Sequence, residues 1–380
     1  MYASSQRALA LALRIVRQFL RDRRTMALLF IAPLVIMTVL NFVLGANSTN
    51  LTLAVVPTTG PGGDTINQQV TTALGHAKGV QVITISADQV DSTLKSGDAN
   101  AVLVLPPDLL TSLEQGAQSK VTLRLDGSNP PAAQQAQQVV AFALSSLSLP
   151  STPAGSLQGA QHAATLPITL DTSYLYGGPQ YTQTDALAPM FVGLFSFFFV
   201  FLLASVAFLR ERSQGTLERV LVSPLSRTEL TLGYVLGFTL FATIQSLVIL
   251  AFVIYVLQVH YAGNLWLLFL ITLSLTIGGV NMGIFASAFA RNELQVIQFI
   301  PLLIVPQILL GGLFFPVNTL PVVLKQLAYV MPLTWANFAL KDVMLKGLQF
   351  GDIWPDVLFL VGFAALMVIG AALSLRQERA

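Results

Sequence analysis

Few residues in this 380-residue chain have the type and spacing for chemistry. Its three histidines, His76, His162 and His260, lie far apart without ligand spacing, and it has no cysteine. A His-based metal site, a thiolate nucleophile and a disulfide framework are therefore not expected. No Gly-x-x-x-x-Gly-Lys-Ser/Thr loop is present to cradle nucleotide phosphates, and no Gly-x-Ser-x-Gly elbow or metalloprotease His-Glu pair occurs. The net charge of +2, with no basic stripe outside the N-terminus, gives no sign of nucleic-acid binding. The expectation is a chain that is not an enzyme, holds no cofactor or metal of its own, and draws any energy it uses from elsewhere.

Three sets of residues still carry a pattern. The first is the polar run Arg210 to Leu230, RERSQGTLERVLVSPLSRTEL. Gly215 and Pro224 bracket a short amphipathic helix in which Leu217, Val220 and Leu221 share one face, beside Glu218 and Arg219. Taken on physics alone, this is an interfacial helix resting on lipid headgroups. The second set is apolar or uncharged. A phenylalanine-rich face that includes Phe191, Phe195 and Phe198 reads either as the wall of a path for an apolar substrate or as packing bulk. Gln245, Asn281, Gln298 and Gln307 lie in apolar surroundings, where they either line such a path or hydrogen-bond between helices. The third set is Pro301, Pro306, Gly311 and Gly312, which permit a hinge or fix a static kink.

The elements that position these residues follow from composition. Only 10% of residues are charged, against roughly 25% in ordinary soluble domains, and 54% are hydrophobic. Six stretches without Asp, Glu, Lys or Arg are long enough to cross a bilayer as helices: Thr25 to Gly45, Leu187 to Leu209, Leu230 to Leu257, Asn264 to Ala290, Leu294 to Phe315 and Val357 to Leu375. The intramembrane acids that relay protons in pumps are thus missing. The turn Arg291-Asn292-Glu293 makes the fourth and fifth stretches a helical hairpin. The first apolar run exceeds a signal-peptide h-region and reads as an uncleaved span. Six arginines precede it, and placing both termini in the cytoplasm puts thirteen basic residues inside and seven outside.

Gln6 to Arg24 sets Leu9, Leu13, Val16 and Leu20 on one face and arginines on the other. That is either an interfacial helix or simply a topogenic signal. Between the first two spans, residues 46–186 carry nine acidic and four basic residues. Strands are expected at Leu51 to Val56, Val80 to Ile85, Ala101 to Leu105 and Val121 to Leu125. Helices are expected at Asp64 to Leu74, Ala87 to Lys95, Pro107 to Gln115 and Ala132 to Leu147. Ser148 to Gly178, rich in Ser, Thr, Pro and Gly, reads as a mobile linker. This region without its linker is expected to fold as a soluble fragment. The whole is a mainly α membrane protein of six transmembrane helices with an inserted extracellular α/β domain. Its parts are an N-terminal amphipathic helix (1–24), a first span (25–45), the external domain and linker (46–186) and a membrane domain (187–380). Within the membrane domain, residues 316–354 are short outer-leaflet helices, with Trp335 and Trp354 at the interface.

The run Glu211 to Leu230 resembles the first cytoplasmic loop of ABC-2-type exporter permeases, which reads close to E-R-E-x-G-T-L-E-x-L-x-x-[TS]-P-x-[SR]. Here Ser213-Gln214 stands where an acidic residue more usually precedes the glycine. Gly311-Gly312-Leu313-Phe314-Phe315-Pro316, Leu320-Pro321 and Met331-Pro332-Leu333-Thr334 are similar to a second family segment, and Gly97 to Pro106 with Asp126-Gly127-Ser128 to the subgroup with an inserted ectodomain. The resemblance implies a bacterial or archaeal plasma-membrane permease of an ATP-binding cassette exporter. Two permease chains, alike or related, would pair on separate ATPase subunits that hold the ATP and Mg. It also implies that a coupling helix at 211–228 docks in the ATPase. Leu217, Val220 and Leu221 would give apolar contact, with Gly215, Thr216 and Pro224 framing it. Glu211, Arg212, Glu218 and Arg219 would supply charge complementarity. The N-terminal helix would also touch the ATPase, and the Pro301 to Gly312 segment would lie near the dimer seam. The cargo expected is an amphipathic or hydrophobic drug, antibiotic or lipid-like molecule. An ATPase-free receptor acting through its ectodomain and a channel are the competing readings. The loop pattern speaks against the first, and the lack of charge rings or a filter motif against the second.

Overall fold

The computed structural model of the chain describes residues 2–44, 51–60, 62–77, 79–115, 117–145, 168–215, 226–290, 292–312 and 316–377. Two compact units are formed, one by Met1–Gly45 with Leu187–Ala380 and the other by Ala46–Ala186. The first unit opens with α1 (Tyr2–Arg21) and α2 (Arg23–Leu44), which meet at a 70° bend. Asp22 makes the break. Its carboxylate accepts the Thr25 N–H at 3.2 Å and the Thr25 hydroxyl, which is how a capping residue starts a fresh helix.

The second unit runs β1 (Leu51–Val56), α3 (Gly63–Gly75), β2 (Val80–Thr84), a 3-10 turn (Ala87–Gln89) leading into α4 (Val90–Ser96), β3 (Ala101–Val104), α5 (Leu109–Glu114), β4 (Ser119–Asp126), α6 (Pro130–Ser145) and β5 (Ile168–Tyr176). The sheet order is β2-β1-β3-β4-β5. β1 is parallel to β2 and β3, β3 is antiparallel to β4, and β4 is parallel to β5. Successive side chains on a strand point to opposite faces. Leu51, Leu53 and Val55 of β1 accordingly join Leu103, Leu123 and Leu125 in a core under α3 and α6, while Ala54 and Val56 join Val102 in a smaller one under Val90 and Leu94 of α4.

One expectation fails here. The linker assigned to 148–178 contains β5, which pairs with β4 from Ser119↔Ile168 onward. Residues 148–167 lie outside the described residues. The Ser and Thr of ITLDTSYLY hid a strand whose Ile168, Leu170 and Tyr174 pack on the core. The Tyr174 hydroxyl also accepts the Gln137 amide of α6 at 2.7 Å.

The first unit resumes with α7 (Gln183–Ser213), then α8 (Arg227–Ala251), which ends in a π-helical turn (Phe252–Val256), α9 (Leu265–Ser287) and α10 (Glu293–Leu310). After a 3-10 turn (Val317–Thr319) come α11 (Val322–Val330), α12 (Pro332–Lys346) and α13 (Phe350–Gln377). Among the described residues, four helices are long and apolar enough to cross a membrane: Gln183–Ser213, Leu232–Val256, Leu265–Ser287 and Phe350–Ser374. The bent α1–α2 pair makes a fifth candidate, and Leu294–Leu310 is a shorter apolar helix. The last helix starts at Phe350, earlier than its apolar run indicated, so Trp354 belongs to it rather than to an outer-leaflet piece. Trp335 stacks on Phe359 at 4.7 Å and donates to the Tyr329 carbonyl.

α1 packs along α8. Ala8, Leu11, Ala12, Ile15 and Phe19 are buried, whereas Leu9, Leu13 and Leu20 are exposed. The helix therefore has two apolar stripes, and the one read from the sequence is the outer one. The inner stripe fits because α8 offers Gly233 and Gly237 one turn apart. A Cβ on Gly233 would sit 2.6 Å from Leu11, and one on Gly237 would sit 3.1 Å from Ile15. Phe19 completes the seam edge-on to Phe238 and Phe241.

Candidate functional site

The polar run after α7 is held at both of its ends. Glu211 and Arg212, first assigned to the coupling segment 211–228, lie in the last turn of α7, and Arg227 and Thr228 lie in the first turn of α8. Glu211 is buried and accepts a hydrogen bond from the Tyr234 hydroxyl of α8, and the charge of Arg14 on α1 acts on both groups. Arg212 donates Nη1 to the carbonyls of Ala288, at 3.1 Å, and Ala290, at 3.4 Å, just past α9. Both side chains thus tie helix ends together. Gly215 leaves the helix with φ +65°, a conformation glycine adopts without a Cβ penalty. On the far side Ser226 and Glu229 form a capping box: Ser226 N–H donates to Glu229 Oε2 at 2.7 Å, and Glu229 N–H donates to Ser226 Oγ. Thr216, Leu217, Glu218, Arg219, Val220, Leu221 and Pro224 lie outside the described residues. The spacing Ser226-x-x-Glu229 was legible in the sequence as a helix start, and the Glu211–Tyr234 pair was not.

The residues expected along a substrate path are only partly brought together. Phe191 and Phe195 are buried with ring centroids 6.0 Å apart, and Phe198 is half-buried against Phe199. The Gln245 amide reaches across from α8 to the Phe195 carbonyl at 3.4 Å. Asn281 and Gln307 are buried and donate back to carbonyls in their own helices, at Ile277 and Leu303. Gln298 is exposed on α10. α10 runs through Pro301 and Pro306 without a break. Its end is fixed from another helix, where Asn337 of α12 donates to the Gly311 carbonyl at 2.8 Å and Gly312 turns the chain with φ +83°.

A cavity of about 580 Å³ lies between the α1–α2 bend, the second half of α7 and the start of α10. Its inner wall is apolar, from Leu29, Phe199, Leu203 and Ile300, and its outer rim carries Gln18, Asp22, Arg210 and Gln214. The volume lies within the roughly 300–1,000 Å³ of ligand pockets. Of the phenylalanine-rich face Phe199 lines it, whereas Phe191, Phe195, Phe198, Gln245, Asn281, Gln298 and Gln307 do not. Its walls come from stretches far apart in sequence, so no local pattern announces it.

A helical unit with several candidate membrane spans, interrupted in sequence by a small mixed-sheet unit, defines a multi-pass membrane protein with its polar machinery at helix ends. The chain belongs to the ABC-2 family of transporters: the model described as ABC-2 family transporter protein matches residues 23–373. The probable multidrug ABC transporter permease YbhR of Escherichia coli (strain K12) is 24% identical over 346 residues, 90% of each chain. The linearmycin resistance permease protein LnrN of Bacillus subtilis (strain 168) is 24% identical over 371 residues, 92% of this chain and 94% of that one. ABC transporter G family member 20 of Dictyostelium discoideum is 31% identical over 214 residues, 56% of this chain, which covers 29% of that longer protein.

Proposed function

We propose that this chain is the permease half of an ATP-driven exporter. A separate ABC ATPase would dock on residues 215–225, and an amphipathic or hydrophobic molecule would leave across the plasma membrane. The observation that carries the reading is the loop's mounting. One end follows the Glu211–Tyr234 pair and the other runs into the Ser226–Glu229 box, so a push on the loop is delivered to α7 and α8 together. Multidrug and antibiotic-resistance names among the relatives support the cargo class. In this reading six helices span the membrane, with α2 and α10 as the first and fifth. Both termini are cytoplasmic, residues 46–186 are an extracellular domain, and two permease chains pair. Pro301 to Gly312 would serve as the hinge, and Phe191, Phe195, Phe198 and Gln245 would stand along the path.

Two measurements test it. Burying Leu217 and Leu221 in a partner groove contributes roughly 1.5–3 kcal/mol each. A Leu217→Asp, Leu221→Asp double variant, at matched membrane expression, is expected to lose at least about tenfold in ATPase association and to stop exporting. Undiminished binding and export would reduce the loop to an interfacial helix. For orientation, a cysteine at the exposed Ser92 should react with an impermeant thiol reagent on intact cells and one at the exposed Ser213 should not, since the native chain has no cysteine. The opposite pattern would invert the topology.

A further inference from the structure

Helix α1 keeps a second apolar stripe after its seam with α8 is closed, and the seam fixes which way that stripe faces. Leu11 lies against Gly233, Ile15 against Gly237, and Phe19 against Phe238 and Phe241, so the two helices run parallel. At about 100° per residue, the exposed Leu9, Leu13 and Leu20 sit roughly 120° around α1 from its buried face. The exposed Leu232, Leu236 and Leu240 sit roughly 120° around α8 from its contacts with α1, in the opposite sense. Parallel helices that face each other turn two such stripes to the same side. The outward leucines of α1 thus continue the leucine surface of a helix long and apolar enough to cross a membrane. Arg17 and Arg21 follow the α1 stripe on the side away from α8, and Arg23 opens α2. All three are exposed, and among the described residues none of their side chains has an ion-pair or hydrogen-bond partner. Asp22 is the one carboxylate in residues 2–44, so the bend stays basic whatever that carboxylate holds.

We infer that this face of α1 binds anionic phospholipid of the bilayer: Leu9, Leu13 and Leu20 enter the acyl chains beside α8, and Arg17, Arg21 and Arg23 gather phosphate headgroups of the same leaflet. Arginine stems are long enough to reach headgroup level from the edge of an apolar stripe, and unpaired guanidiniums at a membrane surface enrich negative lipid. The stripe meets lipid rather than a protein groove because it continues the leucines that a spanning helix gives to the bilayer. The inference goes beyond the exporter reading and needs neither an ATPase nor a cargo.

The experiment uses the full chain in phosphatidylcholine discs with no ATPase, so failure of the exporter reading leaves it untouched. Leu13→Trp places a fluorescent reporter on the stripe, read as the difference from the parent, whose tryptophans are Trp266, Trp335 and Trp354. Tail-brominated phosphatidylcholine should quench the reporter, which places the stripe among acyl chains. A small fraction of tail-brominated phosphatidylglycerol should quench it more than the same fraction of brominated phosphatidylcholine, with local enrichment of at least about fivefold, the worth of one engaged arginine. The Arg17→Gln, Arg21→Gln, Arg23→Gln variant should lose that excess and keep the phosphatidylcholine quenching, while the corresponding triple lysine variant should retain most of it. Raising salt should lower the excess with the arginines in place, a readout that no substitution can confound by unseating α1. A reporter that no brominated lipid quenches would give the face to a protein partner and overturn the inference. Equal quenching by the two lipids, or an excess unchanged by the glutamine substitutions or by salt, would overturn it as well.

Discussion

On α8 of the membrane unit, Leu232, Leu236, Leu240, Ile244 and Leu247 all point outward and are exposed, whereas in the sheet unit Leu51, Leu53, Leu103 and Leu123 are wholly buried. The same side-chain chemistry is used in opposite senses. The sheet unit stands on the hydrophobic effect, with apolar strand faces covered by helices. In the helical unit outward leucines meet lipid, which is as apolar as they are. There, close approach and buried polar ties hold helices together instead. Gly233 and Gly237 let α1 touch α8, and the Glu211–Tyr234 and Asn337–Gly311 bonds tie the ends of α7 and α10 to neighbouring helices. The lesson is that the two units fail by different substitutions.

The largest expected effect is in the sheet unit. A soluble fragment of residues 46–176 should unfold cooperatively, and one ending at Ser145 should not. Without β5 it loses the cover of the partly buried Ile168, Leu170 and Tyr174, each contributing up to about 1.5 kcal/mol, and β4 gains an unpaired edge. Equal urea midpoints for the two fragments would show that β5 is dispensable. A smaller effect belongs to the helical unit. Gly237→Leu drives a side chain into Ile15 and should cost about 1–3 kcal/mol. Thermal unfolding in detergent would read this, as would new thiol reactivity of a cysteine at the buried Leu11 position. If that cysteine stays protected, α1 is held by something other than the glycine seam. The smallest effect is at the surface, where Arg124 pairs with the exposed Asp91. Arg124→Ala should move the fragment's stability by less than about 1 kcal/mol, and less still in high salt.

Much of the sheet unit was legible because alternation of apolar and polar residues reports strands directly, as in LTLAVV and SKVTLRLD. β5 escaped because an edge strand buries little, so its Ser and Thr carry no penalty and its pattern looks like linker. In the helical unit the long apolar runs of α7, α9 and α13 announced themselves by length alone. The burial of Glu211 did not, because a glutamate at the edge of an apolar run reads as the start of a loop. The Tyr234 hydroxyl, twenty-three residues on, is a partner that no local window shows.

By itself, then, the sequence determined that the chain enters membranes and which loop bears the family's pattern, since both depend on local composition and spacing. The tertiary structure decided which stripe of α1 is covered, where Glu211 and Arg212 spend their hydrogen bonds, and that Gln18, Asp22, Leu203, Arg210 and Ile300 share one cavity. Those outcomes depend on helix neighbours separated by up to hundreds of residues, and neighbours are chosen by packing, which no local window contains.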